Sequence, residues 1–273
     1  MATLVGKKIV VIGGSSGIGY SVAKASLLNL AAHVFVASSS KAKVDAAVER
    51  LLAEPTLQAQ SPEGRVSGAV VDLRDSQSIT SFFEKVGEID HLVITSGSVA
   101  GTIDFRTEDL SKHRDAFDVR FWGSSVAAQK AKIRQGGSIT FTAGTGMLKP
   151  HPSWSLILGA AGSVDALARA LAIELAPLRV NVVLPGHVET ELWDGFPKDV
   201  KEQTLAAHAQ KLPVKHVAGP DEIAEAYVFL MNVLRCVAYN LTFFAGAIIS
   251  PDNGSWSMEE NFLSRPKARY WTI

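Results

Sequence analysis

The sequence predicts an α/β protein built on a doubly wound parallel sheet of about seven strands with helices on both faces. Three observations support this fold class. Strand-like apolar runs alternate with helix-like stretches along most of the chain, a glycine-rich turn joins the first strand to the first helix, and no internal repeat is visible. With 273 residues, 47% of them hydrophobic, the chain is long enough for one large domain. We therefore expect a single domain over 1–273, with a lid insertion at about 187–219 and a C-terminal tail at about 250–273.

The strands are predicted from short apolar runs, such as HVFVA, HLVIT and SITFT, and the helices from the longer stretches between them. The strands are expected at 8–12, 33–37, 66–71, 91–95, 138–142, 180–184 and 243–249. The helices are expected at 17–29, 41–53, 76–86, 118–133, 158–176 and 222–233. The stretch 54–64 is polar, contains two prolines and is expected to be a loop.

Composition excludes several classes of function. Lysine plus arginine equals aspartate plus glutamate, 27 each, which gives no electrostatic case for binding nucleic acid or an anionic membrane. The single cysteine, Cys236, rules out an internal disulfide and a cysteine metal cluster. The N-terminus lacks the apolar stretch of a signal peptide, and no run of about 18 apolar residues predicts a membrane span. We expect a cytoplasmic enzyme without a metal.

The glycine-rich stretch VVIGGSSGIG at 10–19 places a strand, a turn and a helix in the order that sets a phosphate against a helix N-terminus. Gly13 suits the tight turn, Gly17 allows close approach to a pyrophosphate, and Gly19 allows the helix to pack on the strand. The alternative is an unrelated glycine loop. The spacing Gly-x-x-x-Gly-x-Gly resembles the fingerprint of the short-chain dehydrogenase/reductase family, and the resemblance extends over roughly residues 5–254. It implies a Rossmann fold that binds a nicotinamide dinucleotide.

The second strand is followed by SSSKAK, without the carboxylate with which NAD-binding sites usually hold the adenosine ribose. Hydroxyls together with Lys41 and Lys43 favour a 2′-phosphate, and hence NADP(H), unless the lysines only begin a solvated helix. In the family, the backbone near Val188 and the hydroxyl of Thr190 hold the nicotinamide amide. The resemblance implies the following cofactor-binding residues: Gly13, Ser15, Ser16, Gly17, Ile18, Gly19, Ser38, Ser39, Lys41, Asp72, Leu73, Ser96, Gly97, Pro185, Gly186, Val188 and Thr190. For Asp72, an ordinary role near the N-cap of the third helix is an alternative that is compatible with adenine binding.

The catalytic residues that the family ordinarily uses are missing. Its asparagine, serine, tyrosine and lysine correspond to Arg120, a position near Gly144, Ile157 and Ala161. Reduction of a neutral ketone leaves an alkoxide that needs an acid such as that tyrosine, whereas reduction of an iminium ion needs none. The missing acid therefore favours a C=N⁺ substrate, or a reaction without hydride transfer.

Arg120 is the first candidate for an unusual catalytic group. A guanidinium at this position can hold a carbonyl oxygen or stabilise a developing oxyanion. The alternative is an ion pair with Asp118 or Asp115.

Other candidates come from aromatic and acidic residues around the cleft. Trp154, Trp193, Phe196 and Phe105 are interpreted as an aromatic box for a planar substrate, or singly as plain packing. Glu189, Glu191 and Asp194 begin the lid and can serve a cation or a proton relay, or form a solvated acidic surface. His151 and His187 lie near the same cleft and can titrate near neutrality, or they are surface histidines. We therefore predict that the catalytic residues are Arg120, Trp154, Glu189, Glu191 and Trp193.

Within the family, the pattern looks like members that lack the tetrad, namely fungal reductase-like enzymes of indole-alkaloid pathways that control Diels–Alder or Pictet–Spengler ring formation. This implies an NADPH-binding enzyme that acts on an aromatic, polycyclic imine or iminium intermediate by reduction, stereocontrolled cyclisation or both. Three alternatives stay open: a conventional carbonyl reductase with relocated acid groups, a non-catalytic sensor or scaffold, and a cyclase that uses bound NADP(H) only as architecture. The long helix rich in alanine and glycine predicts a homodimer or homotetramer.

Overall fold

The computed structural model describes residues 4–97, 103–195, 197–233 and 240–243. The strands are β1 Lys8–Ile12, β2 His33–Ser38, β3 Val66–Val70, β4 Glu88–Ile94, β5 Lys132–Thr142, β6 Arg179–Pro185 and β7 Asn240–Phe243. The α-helices are α1 Gly17–Leu28, α2 Lys41–Ala53, α3 Ser76–Val86, α4 Ser124–Lys130, α5 Ser155–Glu174, α6 Lys198–Lys211 and α7 Pro220–Asn232. Short 3₁₀ turns span Pro55–Gln60, Leu110–Phe117, Thr145–Met147 and Glu191–Gly195, and a π-helical turn spans Asp118–Gly123.

The strands form one parallel sheet in the order β3-β2-β1-β4-β5-β6-β7. The strand order reverses between β1 and β4, which makes this pair the topological switch point. In open sheets of this kind, ligands bind at the carboxyl ends of the strands beside that point. The doubly wound parallel sheet predicted from the sequence is confirmed.

Two apolar layers cover the sheet. One face packs against side chains of α1, α2 and α7, with Tyr227 and Leu51 among its fully buried residues. The other packs against α3, α4 and α5, around Phe141 and Leu92. Because both faces are covered, the central strands are apolar without alternation, which explains why short apolar runs located them correctly.

Three predicted elements differ from the structure. The helix expected at 118–133 is a π-helical turn followed by the short α4, and β5 already begins at Lys132. The lid segment contains α6, which was not predicted. The strand expected at 243–249 is seen at Asn240–Phe243, and the rest of that range lies outside the described residues, as does the C-terminal tail.

Helix α5 is the one helix among the described residues that is long and apolar enough to cross a membrane, with a mean hydropathy of 1.6. Length and composition alone are weak evidence, and α5 carries an ion pair midway, with Arg169 Nε 3.0 Å from Asp165 Oδ2. Its inner face packs on the sheet through Val164, Ala168 and Ala172. Much of its outer face is only half-buried.

Candidate active site

The turn between β1 and α1 is pressed against the end of β4. Gly13 has a positive φ of 90°, and a Cβ there would lie 2.5 Å from Thr95 Oγ1 and 2.7 Å from the backbone nitrogen of Ser96. A Cβ at Gly19 would collide with the carbonyl oxygen of Gly13. Only glycine fits at either position, because the obstacles include backbone atoms. The glycine turn and the N-terminus of α1 therefore form a narrow recess at the switch point, which we call the cofactor cradle. An anionic phosphate can bind there against the helix N-terminus.

The backbone N–H of Gly17, the first residue of α1, is already occupied. It donates a hydrogen bond of 2.7 Å to Oε2 of Glu191, from the 3₁₀ turn after β6. The other carboxylate oxygen of Glu191 lies 3.7 Å from Arg50, whose guanidinium sits 4.1 Å from the centre of the Tyr20 ring. Thr190 packs on the same glycine, 3.3 Å from an ideal Cβ at that position. Thus Glu191, predicted as a catalytic candidate, lies at the phosphate-binding loop.

Three other predicted cofactor residues lie in the same loop. Ser16 is the N-cap of α1, but its side chain makes no capping hydrogen bond. Ser15 and Ser16 have no side-chain hydrogen bond to the part of the chain that is described, and Ile18 packs against the core. Both hydroxyls are free to contact a phosphate.

The end of β2 presents hydroxyls rather than a carboxylate. Ser38 ends the strand and exposed Ser39 follows, while Ser40 caps α2 by accepting a hydrogen bond from the backbone of Lys43. Lys41 is exposed and lies 2.6 Å from Asp45 one turn along the helix. A 2′-phosphate bound here would contact serine hydroxyls and the N-terminus of α2. Lys41 could leave its ion pair with Asp45 and pair with the phosphate instead.

Asp72 and Leu73 connect the adenine side of the site to the π-helical turn. Asp72 accepts a hydrogen bond of 2.9 Å from the backbone of Arg74, and the N-cap of α3 is Asp75. Leu73 is buried, and its carbonyl oxygen and Cβ press against Gly123, the last residue of the π-helical turn. The backbone that precedes α3 thereby helps to position that turn.

Arg120 lies in this π-helical turn, a distortion that is often found at functional sites. Its guanidinium carbon would be only 2.5 Å from a Cβ at Gly97, just beyond β4. Its Nε is buried without a hydrogen-bond partner among the described residues, and burial lowers the pKa of the guanidinium. The alternative ion pair with Asp118 or Asp115 is not formed. A buried, unpaired guanidinium beside the cofactor cradle is suited to hold an oxygen of a ligand.

The positions that we aligned with the serine, tyrosine and lysine of the family are apolar or empty. Ile157 and Ala161 are one turn apart on α5, half-buried and buried respectively, and a Cβ at Gly144 would meet only the carbonyl oxygen of Pro185 at 3.9 Å. The two tyrosines within the described chain lie elsewhere. Tyr20 stacks on Arg50, and the fully buried Tyr227 shares a hydrogen bond of 2.7 Å with Thr142, while burial raises its pKa.

Past β6, Pro185 and Gly186 lead to Val188, which is buried and pairs in parallel with Ala218. The indole N–H of Trp193 donates a hydrogen bond of 2.9 Å to the carbonyl oxygen of Val188. The predicted aromatic candidate therefore holds the backbone segment that the family uses for the nicotinamide amide.

The remaining aromatic and acidic candidates divide between the cleft and the surface. Trp154 is the N-cap of α5, and its ring lies over Gly146 and 5.2 Å from that of His151. Phe105 is 60% exposed, and Phe196 lies outside the described residues. Glu189 is exposed, and Asp194 pairs with Lys201 at 2.9 Å.

Sequence reasoning missed one functional candidate. His208, on the unpredicted α6, stacks on His187 with ring centroids 3.6 Å apart. No local signal reveals this contact, because it depends on how the lid folds back. The described residues hold no group of three or more His, Cys, Asp or Glu side chains arranged to bind a metal.

Comparison with known proteins decides the family. A profile described as an SDR-like Rossmann domain matches residues 2–245. The chain belongs to the short-chain dehydrogenase/reductase family. The resemblance read from the glycine loop is confirmed, and the loop, the end of β4 and the segment after β6 are the expected cofactor elements of a short-chain dehydrogenase/reductase.

Relatives within the short-chain dehydrogenase/reductase family include several fungal proteins. The short-chain dehydrogenase/reductase fsr5 of Gibberella fujikuroi is 32% identical, with coverage of 85% of this chain and 91% of that protein. The short-chain dehydrogenase/reductase ATR9 of Stachybotrys chlorohalonatus is 35% identical, with coverage of 85% of this chain and 93% of that protein. Among solved structures, the MalC reductase/Diels–Alderase from Malbranchea aurantiaca superposes with a TM-score of 0.81 at 29% identity, covering 89% of this chain and 96% of that one. A small-chain dehydrogenase in complex with NADPH superposes with a TM-score of 0.70 at 27% identity, covering 88% of this chain and 98% of that one.

Proposed function

We propose that the chain is an NADP(H)-binding, reductase-like enzyme of secondary-metabolite biosynthesis, and that it acts on an imine or iminium intermediate by reduction, stereocontrolled cyclisation or both. The observation that carries the proposal is the unpaired guanidinium of Arg120, which lies beside the cofactor cradle in a cleft whose described residues include no tyrosine–lysine pair. An indole-alkaloid intermediate is the substrate that the resemblance favours.

The residues at the switch point fit NADP(H). Gly13, Gly17 and Gly19 leave room for the pyrophosphate at the N-terminus of α1, and no carboxylate follows β2 to repel a 2′-phosphate. A relative of known structure binds NADPH. When bound, the nicotinamide supplies a hydride.

The chain's own residues then set what can be reduced. A ketone that accepts a hydride needs a proton, and neither Tyr20 nor Tyr227 is placed to give one. An iminium carbon that accepts a hydride becomes a neutral amine without any proton transfer. Arg120 can hold a carbonyl oxygen elsewhere on the same substrate and fix its orientation, a role that also serves a cyclisation.

The relatives support a biosynthetic role. MalC combines the activities of a reductase and a Diels–Alderase on a closely similar fold. Its resemblance extends over nine-tenths of this chain, so the proposal does not rest on the glycine loop alone.

The test is NADPH oxidation, followed by absorbance, with a cyclic imine such as a dihydro-β-carboline and with matched ketones. Oxidation with the imine alone supports the proposed chemistry. Comparable rates with simple ketones would instead identify a carbonyl reductase with relocated acid groups. If NADPH binds but neither class is turned over, product analysis for ring formation separates a cyclase from a sensor or scaffold.

A further inference from the structure

Three histidines gather where the lid meets the cleft. His187 lies two residues after β6, and its ring stacks on that of His208 from α6, with centroids 3.6 Å apart and planes inclined by 24°. His151, from the loop before α5, is close enough to act electrostatically on both. We call His151, His187 and His208 the imidazole group.

Two indoles flank the imidazole group. The ring of Trp193 lies 6.1 Å from that of His187, and the ring of Trp154 lies 5.2 Å from that of His151. Both tryptophans were predicted to line the substrate cleft. The imidazole group therefore borders the same space as the predicted aromatic surface.

Among the described residues, no carboxylate serves as a counter-ion to the imidazole group. The charged groups that act on His187 are His208 and Lys211 from α6 and His151 from the loop before α5, and all are cations or become cations. None of the three imidazole rings forms a hydrogen bond or ion pair with another described residue. By contrast, exposed His216 lies 2.8 Å from Glu222.

The carboxylates of the adjoining 3₁₀ turn face other groups. Glu191 accepts the hydrogen bond from Gly17, and Asp194 pairs with Lys201. The nearby carboxylates of Glu189, Glu191 and Asp194 act on Lys201 instead. Burial, aided by His208, His151 and Lys211, lowers the pKa of His187 to about 4, so His187 is neutral at physiological pH in the empty protein.

We infer that the imidazole group binds an acidic group of the substrate, either a carboxylate or the enolate of a 1,3-dicarbonyl, while Trp154 and Trp193 contact the planar part of the same molecule. Either imidazole of the stack can take up a proton, and an anion beside the rings stabilises the charged form. This inference rests on the proposed function and narrows it. The iminium substrate would carry its own negative charge, so that the cationic surroundings of Arg120 and the imidazole group do not repel it.

Binding of the acid is then linked to proton uptake. The anion raises the pKa of the imidazole group above its value in the empty protein. Affinity for the acid therefore rises as pH falls between the raised pKa and the pKa of about 4 of empty His187. A neutral ligand of the same shape shows no such dependence.

The test is calorimetric binding of indole-3-acetate and of the neutral indole-3-acetamide to the NADP⁺-loaded protein, at about pH 6 and about pH 8. We expect the acid to bind about tenfold more tightly than the amide near pH 6, and the preference to shrink near pH 8. His208→Ala should reduce the preference to about twofold, and His187→Gln should act in the same direction. The control His216→Gln, which changes a histidine that is already paired with Glu222, should keep the full preference.

Equal binding of the two probes, no binding of either, or a preference that survives in both His208→Ala and His187→Gln would overturn the inference. Melting temperatures of the variants show whether a lost preference comes from lost folding, and His187→Gln serves where His208→Ala is unstable. The assay needs no turnover. Its failure is therefore distinguishable from failure of the imine reaction, which NADPH oxidation measures separately.

Discussion

The backbone N–H of Gly17 and the carboxylate of Glu191, 174 residues apart in the chain, are joined by a hydrogen bond of 2.7 Å. The N–H belongs to the first turn of α1, where the family binds the pyrophosphate of its cofactor. An anionic side chain thus lies where an anionic ligand must bind. Arg50 lies 3.7 Å from the other carboxylate oxygen, so Glu191 can pair with Arg50 when the cofactor displaces it from the N–H of Gly17.

Glu191→Gln should tighten NADPH binding about five- to tenfold, because it removes the negative charge that competes with the pyrophosphate. The dissociation constant can be measured by fluorescence titration of the bound nicotinamide. Asp194→Asn is the matched control, since this carboxylate in the same turn pairs with Lys201. Weaker binding in Glu191→Gln would show that Glu191 supports the cofactor instead of competing with it.

Arg120→Ala should lower kcat/KM for the imine substrate about a hundredfold and leave NADPH affinity within about twofold, because the guanidinium holds the substrate. Steady-state kinetics and a separate cofactor titration measure the two effects. Arg134→Ala is the control, since Arg134 pairs with Glu88 and Asp90 near the N-terminal ends of β4 and β5, at the opposite end of these strands from the site. Unchanged turnover in Arg120→Ala would remove Arg120 from the site.

Gly97→Ala should lower turnover through Arg120, because a Cβ at Gly97 would lie 2.5 Å from the guanidinium carbon and displace it. If both changes act through the same contact, the double variant should be little worse than Arg120→Ala alone. Additive losses in kcat/KM would show that Gly97 acts separately, for example through the cofactor.

His91 predicts how folding stability responds to acid. It is buried in β4, bonded to Ser138 at 2.9 Å, and burial lowers its pKa to about 3, below the 6.5 of the unfolded chain. The folded state favours neutral His91, so its contribution is full above about pH 6.5 and declines towards pH 3 by up to about 1.4 kcal/mol per pH unit. Urea denaturation of His91→Gln should show a shallower decline than the parent protein. Equal slopes would contradict the assignment, and the exposed-site control His216→Gln should keep the parent slope.

Helix α5 predicts self-association. Ile173 is 77% exposed, and a Cβ at Gly162 would meet nothing within 4 Å, so this helix leaves apolar surface and open space outside the fold. Light scattering should give the mass of a dimer or tetramer, and Ile173→Glu should lower it. Val214→Glu, at a residue 54% exposed outside α5, is the control. A monomeric parent protein would overturn the prediction.

The fold could be predicted from the sequence because its central strands are apolar on both faces and because close backbone contacts require glycines in its cofactor loop. Gly13 and Gly19 are required because the turn after β1 packs closely on itself and on the end of β4. A short glycine pattern in the sequence is enough to indicate such a turn. Helix α6 escaped prediction because it buries only Leu205 and has no apolar face. The π-helical turn at Arg120 escaped because it depends on packing against Leu73 and α5.

The candidate site could be predicted only in part, because some of its contacts are local in sequence and others depend on tertiary packing. The alignment of Ile157 and Ala161 with the tyrosine and lysine of the family was a prediction from helix register, which is local. The bond from Gly17 to Glu191 and the stack of His187 on His208 both require the lid to fold back onto the sheet. The sequence interpretation accordingly named Glu191 as a catalytic candidate without its contact to the glycine loop, and it found no partner for His187.

The segment from Val188 to Gly195 touches both ligand regions at once. Glu191 and Thr190 contact the glycine loop, while Trp193 holds Val188 and borders His187. A cofactor that displaces Glu191 must shift the same short turn that shapes the neighbouring pocket. The enzyme should therefore follow a compulsory order of addition, with the dinucleotide first to arrive and last to leave, and inhibition by NADP⁺ should be competitive against NADPH at every concentration of the second substrate.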